Sequence, residues 1–195
     1  MRRAFAIIIL SGLSAVPVFA ALKTGDTAPD FSAPASLAGK EFSYSLKDAL
    51  KKGPVVVYFY PSAYTGGCNI EAHTFSENAA NFAAAGATVI GVSGDSIERL
   101  NAFSADPEYC AGKVAVASDA DGKIAKSFDL EAKTVPAFND TKGKPVDHIL
   151  IERTTFVVTP DGKVAATLSS AADKITPAQH VEKSLEVVKQ LAAKK

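Results

Sequence analysis

Val55-Val56-Val57-Tyr58-Phe59-Tyr60-Pro61-Ser62-Ala63-Tyr64-Thr65-Gly66-Gly67-Cys68-Asn69-Ile70-Glu71 is the stretch of this 195-residue chain from which fold and chemistry can both be read. Its first six residues form a continuous apolar run rich in β-branched and aromatic side chains. Such a run reads as a central strand buried on both faces. Pro61 stops it, and Ser62 to Gly67 is a polar loop. From about Gly67 to Ala85, Ile70, Phe75, Ala79 and Phe82 recur at spacings near three and four, which predicts a helix ended by Gly86. A cysteine therefore falls in the first turn of a helix, just beyond the carboxyl edge of a buried strand. Reactive groups in open α/β sheets gather at such edges.

The pattern repeats on either side. Upstream, Leu22 to Phe31 reads as an entry segment, and Glu41 to Leu46 alternates apolar and polar residues like a strand. Downstream, Thr88 to Ser93 is a second buried strand. Asp95 or Ser96 caps a helix carrying Ile97, Leu100 and Phe103, which ends near Asp106-Pro107. Val114 to Val116 is a short strand, and Ile124, Ala125 and Phe128 belong to a short helix. Lys133 to Asp147 is long and polar and is expected to be a mobile loop. Thr154 to Val158 and Val164 to Leu168 form a hairpin around Pro160-Asp161-Gly162-Lys163. Thr176-Pro177 opens a last helix, whose stripe Val181, Leu185, Val188 and Leu191 faces the core. This alternation predicts a three-layer α/β fold with a mixed central sheet and no second domain.

Composition bounds the function. Hydrophobic residues make up 47% and charged residues 22%, as in globular domains. Lys+Arg and Asp+Glu are both 21, so no net charge attracts nucleic acid or an anionic membrane. Arg2 and Arg3, the apolar run Ala4 to Leu10, and the small residues around Val18-Phe19-Ala20-Ala21 form the pattern of a secretory signal peptide over residues 1–20. The apolar run is short for a membrane span. Cleavage after Ala20 would leave a domain of residues 21–195 in the periplasm or outside the cell, with no stable membrane insertion. Of the two cysteines, Cys68 and Cys110, the compartment would allow pairing.

Around Cys68 the local physics favours a thiolate. A free thiol has a pKa of ~8.5. A helix N-terminus offers unpaired N–H groups and about half a positive charge. Gly66 and Gly67 let another molecule approach the backbone. Thr65 has a hydroxyl that can cap the helix or reach the sulfur or a substrate oxygen, and Pro61 can stiffen the loop wall. A buried core thiol is the competing reading of Cys68. For Arg153 the competing reading is a surface ion pair with Glu152 or another acid, and for Glu71 a first-turn helix acid. His73, His148 and His180 have no metal-ligand spacing, and His73 reads as a polar helix residue. No nucleotide-binding glycine fingerprint is present. Neither a cofactor nor a metal is expected.

Pro61-x-x-x-Thr65-x-x-Cys68 resembles the active-site motif of the peroxiredoxin family. Its flanks look most like the bacterioferritin-comigratory, or peroxiredoxin Q, subgroup. Arg153-Thr154-Thr155-Phe156-Val157-Val158 and the following hairpin resemble the family's second signature. Ala28-Pro29-Asp30-Phe31 resembles its opening. The likeness runs roughly from Leu22 to Leu168. It implies a thioredoxin-like three-layer fold and reduction of hydrogen peroxide or organic hydroperoxides at Cys68. It also implies help from Thr65, Pro61 and Arg153, a family acidic position at Glu71, and a thioredoxin-like electron donor. The sulfenic acid that forms would condense with a second thiol. The subgroup carries its resolving cysteine five residues after the first, where this chain has His73. Cys110, expected near the end of the helix after the second strand, is the remaining candidate, as in the thiol-peroxidase subgroup. The rivals are weaker. An exported thioredoxin-like thiol–disulfide oxidoreductase would need Cys-x-x-Cys, but position 71 is Glu. A copper-carrying module lacks a second nearby cysteine, and an inert domain with a structural disulfide would consume no peroxide.

Overall fold

A seven-stranded mixed sheet forms the centre of the computed structural model, which describes residues 21–194. The expected signal peptide lies outside the described residues. In chain order the elements are β1 (Ser32–Leu37), β2 (Lys40–Ser45), α1 (Leu46–Leu50), β3 (Val55–Phe59), α2 (Gly66–Ala84), β4 (Thr88–Ser93), α3 (Ile97–Ala105), β5 (Ala115–Ser118) and α4 (Lys123–Ser127). The short strands β6 (Ala132–Lys133), β7 (Phe138–Asn139), β8 (Pro145–Val146) and β9 (Leu150–Ile151) follow. The chain ends with β10 (Thr154–Val158), β11 (Val164–Ser169), α5 (Ser170–Asp173) and α6 (Pro177–Ala192).

The sheet order is β11-β10-β3-β4-β5-β1-β2. β3, β4 and β5 are parallel, while β10, β11, β1 and β2 join antiparallel. The period-two rule sorts the strands' side chains. Val55, Val57 and Phe59 enter one apolar cluster with Leu46 of α1 and Phe128 just after α4. Val56, Tyr58 and Tyr60 enter the other, with Phe75 and Phe82 of α2, Leu100 and Phe103 of α3, and Val181 and Val188 of α6. Every residue of β3 is buried, which is why its sequence is apolar without alternation. The three-layer α/β fold with a mixed sheet is as the sequence predicts.

Three local expectations need correction. The entry segment is followed by a full strand, β1, which pairs with both β2 and β5. Its sequence, Ser-Ala-Pro-Ala-Ser-Leu, is too rich in small residues to show a strand signal. Cys110 is not on α3: the helix stops at Ala105, and Cys110 sits in the turn beyond it, where the N–H of Ala111 donates to the Asp106 carbonyl at 2.9 Å. The segment Lys133 to Asp147 is not a free loop. It contains β6, β7 and β8, and the N–H of Thr141 anchors it to the Tyr64 carbonyl at 2.9 Å.

Candidate active site

Cys68 is the third residue of α2 and is 2% exposed. The register of β10 on β3 places Thr154 opposite Phe59, so Arg153 emerges beside the end of the strand that leads to the cysteine. An Arg153 N–H donates to the Cys68 sulfur at 3.1 Å. The other terminal nitrogen of the same guanidinium is in contact with Glu71 Oε2. One fork thus contacts both the sulfur and an acid, with Glu71 rather than Glu152 as the acid. A planar, permanently charged guanidinium suits such two-sided donation.

Glu71 is wholly buried, and its Oε1 has no hydrogen-bond partner. Burial raises its carboxyl pKa to about 7, and Arg153 opposes that rise. Burial works against the charge of Arg153, but Glu71 and Cys68 more than offset this and push its pKa up. Nearby on α6, His180 donates or accepts with Thr155 Oγ1 at 3.0 Å and Ser170 Oγ at 2.9 Å. Burial, then the charge of Arg153, lowers its pKa to about 4. It is neutral at ordinary pH and does not compete for the carboxylate.

Gly67 makes the Arg153 geometry possible. A Cβ there would lie 3.2 Å from the Arg153 terminal nitrogen and 3.3 Å from Cγ of Pro177. These contacts are tight, and the guanidinium that would have to yield is held by Cys68 and Glu71. Gly67→Ala is expected to slow reaction with peroxide about tenfold, the size of one displaced charged hydrogen bond, with little loss of thermal stability. Single-turnover kinetics and thermal unfolding check this.

Thr65 is the N-cap residue of α2, but its side chain does not cap the helix. Its hydroxyl donates instead to the Ser62 carbonyl at 2.7 Å. The capping part of the sequence expectation is thus corrected: the hydroxyl closes the loop on itself. Pro61 begins that loop and is half-buried. Tyr64 adopts φ +61°, the left-handed region that a bulky residue enters only when held there. Its carbonyl accepts from both the N–H and the hydroxyl of Thr141, at 2.9 and 2.8 Å.

Cys110 is a buried free thiol, as is Cys68, and the two belong to one apolar cluster. Burial, then Asp106, pushes the Cys110 thiol pKa well up. His73 is exposed, and its Nδ1 lies 2.9 Å from the carbonyl of Glu108, two residues before Cys110. It thereby joins α2 to the turn that holds the second thiol. Among the described residues, no group of three or more His, Cys, Asp or Glu could hold a metal ion.

Sequence reading missed the groups that hold the loop before Cys68. Asp95 lies beyond the end of β4, wholly buried. It accepts from the Ala63 N–H at 2.8 Å and from the Ser62 hydroxyl at 3.0 Å. Arg99 donates to the Ala63 carbonyl at 2.9 Å and to Asp140 at 2.6 Å. The available signal was topological. Parallel β3 and β4 end side by side, so the polar residues following each must meet.

Known proteins resemble this chain in sequence and in fold. Residues 24–167 match the model of the AhpC/TSA family. The chain is 33% identical to peroxiredoxin Bcp of Xanthomonas campestris over 135 residues, 69% of this chain and 76% of that one. The crystal structure of peroxidoxin BcpB from Mycobacterium tuberculosis superposes with a TM-score of 0.71 at 32% identity, covering 87% of this chain and 97% of that one. Peroxiredoxin Q of X. campestris superposes with a TM-score of 0.63 at 31% identity, covering 82% and 90%.

Proposed function

This chain belongs to the AhpC/TSA family and is a peroxiredoxin, a thiol-dependent peroxidase with a thioredoxin-like fold; on that premise we propose that Cys68 is its peroxidatic sulfur and Cys110 the thiol that resolves it. The observation that carries the reading is the Arg153 N–H donated to the Cys68 sulfur at 3.1 Å. That contact sets a fixed cation beside the sulfur, next to the place where negative charge develops.

The chemistry follows. The Cys68 thiolate attacks the nearer oxygen of a hydroperoxide, the S–O bond forms and the O–O bond breaks. The departing alkoxide or hydroxide takes a proton and leaves as alcohol or water. Arg153 stabilises both the starting thiolate and the departing oxygen, as preorganised donors do. Hydrogen peroxide and organic hydroperoxides are the proposed substrates. The sulfenic acid then condenses with the Cys110 thiol, forming an S–S bond and releasing water.

Condensation requires movement. Both sulfurs are buried, and the burial that raises the Cys110 pKa suppresses its thiolate while the fold is closed. The first turn of α2 and the turn after α3 must open together. Opening exposes the Cys110 thiol to water, lowers its pKa and makes it a competent nucleophile. A dithiol donor of thioredoxin type then attacks the disulfide, restoring two thiols and leaving oxidised. The leader-like sequence supports export, so the donor would work outside the cytoplasm.

Intact mass after one equivalent of hydrogen peroxide tests the recycling step. The wild-type chain is expected to lose two hydrogens. Cys110→Ser is expected to gain one oxygen instead, with an unchanged first turnover and no recycling by a dithiol. A wild-type chain that keeps a sulfenate, or links only to a second chain, rules out Cys110 as the intramolecular partner.

A further inference from the structure

The cluster beneath the catalytic loop contains more charge than a structural anchor needs. His148 Nε2 lies 2.8 Å from Asp95 Oδ1, and its Nδ1 lies 2.8 Å from the Ile149 carbonyl. A carbonyl oxygen only accepts, and so does an ionised carboxylate. The Ser62 hydroxyl also lies 3.1 Å from Nε2, but it is 3.0 Å from Asp95 Oδ1 as well. With its one proton given to the carboxylate, both ring nitrogens face acceptors. An imidazolium is the form that satisfies them, in line with the raised pKa of His148. Asp95 is a carboxylate because its oxygens also accept from the Ser93 hydroxyl at 2.7 Å and the Ala63 N–H at 2.8 Å. Arg99 Nε stands 2.8 Å from Asp95 Oδ1, but its N–H points past the oxygen, so this is an ion pair without a hydrogen bond. The cluster holds two carboxylates, Asp95 and Asp140, against Arg99. It is neutral only when His148 supplies the second positive charge.

The same residues hold the loop that delivers Cys68. Asp95 receives the Ala63 N–H and the Ser62 hydroxyl, and Arg99 donates to the Ala63 carbonyl. Room for His148 is built in: a Cβ on Gly94 would lie 2.4 Å from the Ile149 carbonyl oxygen and 3.2 Å from His148 Nδ1.

We propose that His148, in its charged form, is a positioning residue that acts through Asp95 to hold the Ser62–Tyr64 loop, and with it Thr65 and Cys68, in the peroxide-reactive arrangement. This rests on the reading of Cys68 as the peroxidatic sulfur. Loss of the proton would remove one of the two donors on the imidazole, leave the buried Asp95–Asp140–Arg99 group with excess negative charge, and loosen the loop. The groups facing His148 set the direction. Burial of the ring works against its charge, and Asp95 and the Ile149 carbonyl outweigh both that and the repulsion from Arg99. Tyr60, buried near Asp95, stays protonated because burial first, then Asp95, raises its pKa. Lys142 lies over the Tyr64 ring and pairs with Asp106 and Glu108, away from His148. The transition therefore falls above the ordinary imidazole value of about 6.5. Holding is complete below that value and is lost as pH rises through the raised pKa.

Stopped-flow rates of reaction with hydrogen peroxide are compared for the wild type, His148→Gln and His148→Lys from pH 5.5 to 9, as ratios to wild type at each pH. Taking ratios cancels the ionisation of Cys68. His148→Gln is expected to be slower by about fivefold to tenfold at low pH, the worth of one charged hydrogen bond, and the deficit should vanish at high pH. His148→Lys keeps a charge and should overtake wild type at high pH. A ratio for His148→Gln that is constant across pH would reduce the residue to a structural one and overturn the proposal. Should the variants not fold, NMR titration of the wild type decides: the Ala63 amide should follow the His148 ring through one shared transition. A ring transition at or below the ordinary value, or an Ala63 amide that ignores it, also overturns the proposal. If Cys68 is not the peroxidatic sulfur, a Cys68→Ser chain keeps its peroxide traces while the NMR coupling still reads the latch, so the two failures are distinguishable.

Discussion

Cys68→Ser is expected to abolish peroxide consumption, by a factor on the order of 10⁴ or more, the scale seen when a covalent nucleophile is removed. The serine oxygen takes the place of the sulfur in the first turn of α2 and can still accept from Arg153. It cannot replace the chemistry, because a hydroxyl stays protonated where a thiol ionises, and no general base stands within reach to activate it. Among groups in hydrogen-bond contact with position 68, the structure gives only the guanidinium, which donates. Glu71, the carboxylate that shares this guanidinium, is committed to Arg153. The fold should survive, since the substitution is small and the surrounding cluster of Tyr58, Ala72 and Phe75 is unchanged. Peroxide consumption with a small dithiol as reductant measures the first effect and thermal unfolding the second. Turnover like wild type in a folded Cys68→Ser chain would mean that the reactive atom is elsewhere.

The contrast between Cys68 and Asp95 shows what can be read before a structure. Cys68 is surrounded by its own signals: a buried strand, a proline, two glycines and a helical pattern, all within the residues from 55 to 85. Arg153 is remote in sequence, and composition alone makes it an ordinary surface arginine. Only the resemblance of its flanking strand to a known motif brought it to the site, where the β10–β3 pairing places it. The supporting loop contacts had neither kind of signal. Asp95, Asp140 and His148 are scattered over three connections and Arg99 sits on α3, and each alone reads as a cap, a surface charge or a loop residue. Their meeting depends on the adjacent ends of β3 and β4 and on where the segment after β9's partner strand lies. The error over Thr65 has a similar origin. Its position predicts a capping hydroxyl, but the left-handed turn at Tyr64 brings the Ser62 carbonyl into reach first. β1 escaped because small residues and a proline satisfy a strand between two partners without any apolar alternation.

Arg153→Met is expected to cost a factor of about 10² to 10³ in the rate of reaction with peroxide, as loss of a preorganised donor does. The substitution also strands Glu71, which is wholly buried. Removing one partner of a buried pair typically costs about 3–5 kcal/mol, so the stability of the single variant confounds its kinetics. The pH dependence separates the two. In the wild type, burial already raises the Glu71 pKa from 4.5 to about 7 against the pull of Arg153. Without Arg153 it must rise further. A carboxyl whose folded pKa lies above its unfolded one favours the fold below the unfolded value and loses that contribution as pH rises. Arg153→Met should therefore be close to wild type in thermal stability near pH 5 and clearly weaker at pH 8. Adding Glu71→Gln removes the stranded charge and should restore stability at pH 8, because a neutral amide in that pocket has no ionised form to desolvate. It should not restore the rate, because no donor returns to the sulfur. A double variant that recovers both would show that Arg153 only balances Glu71. One that recovers stability alone assigns the missing factor to the N–H that Arg153 presents to Cys68.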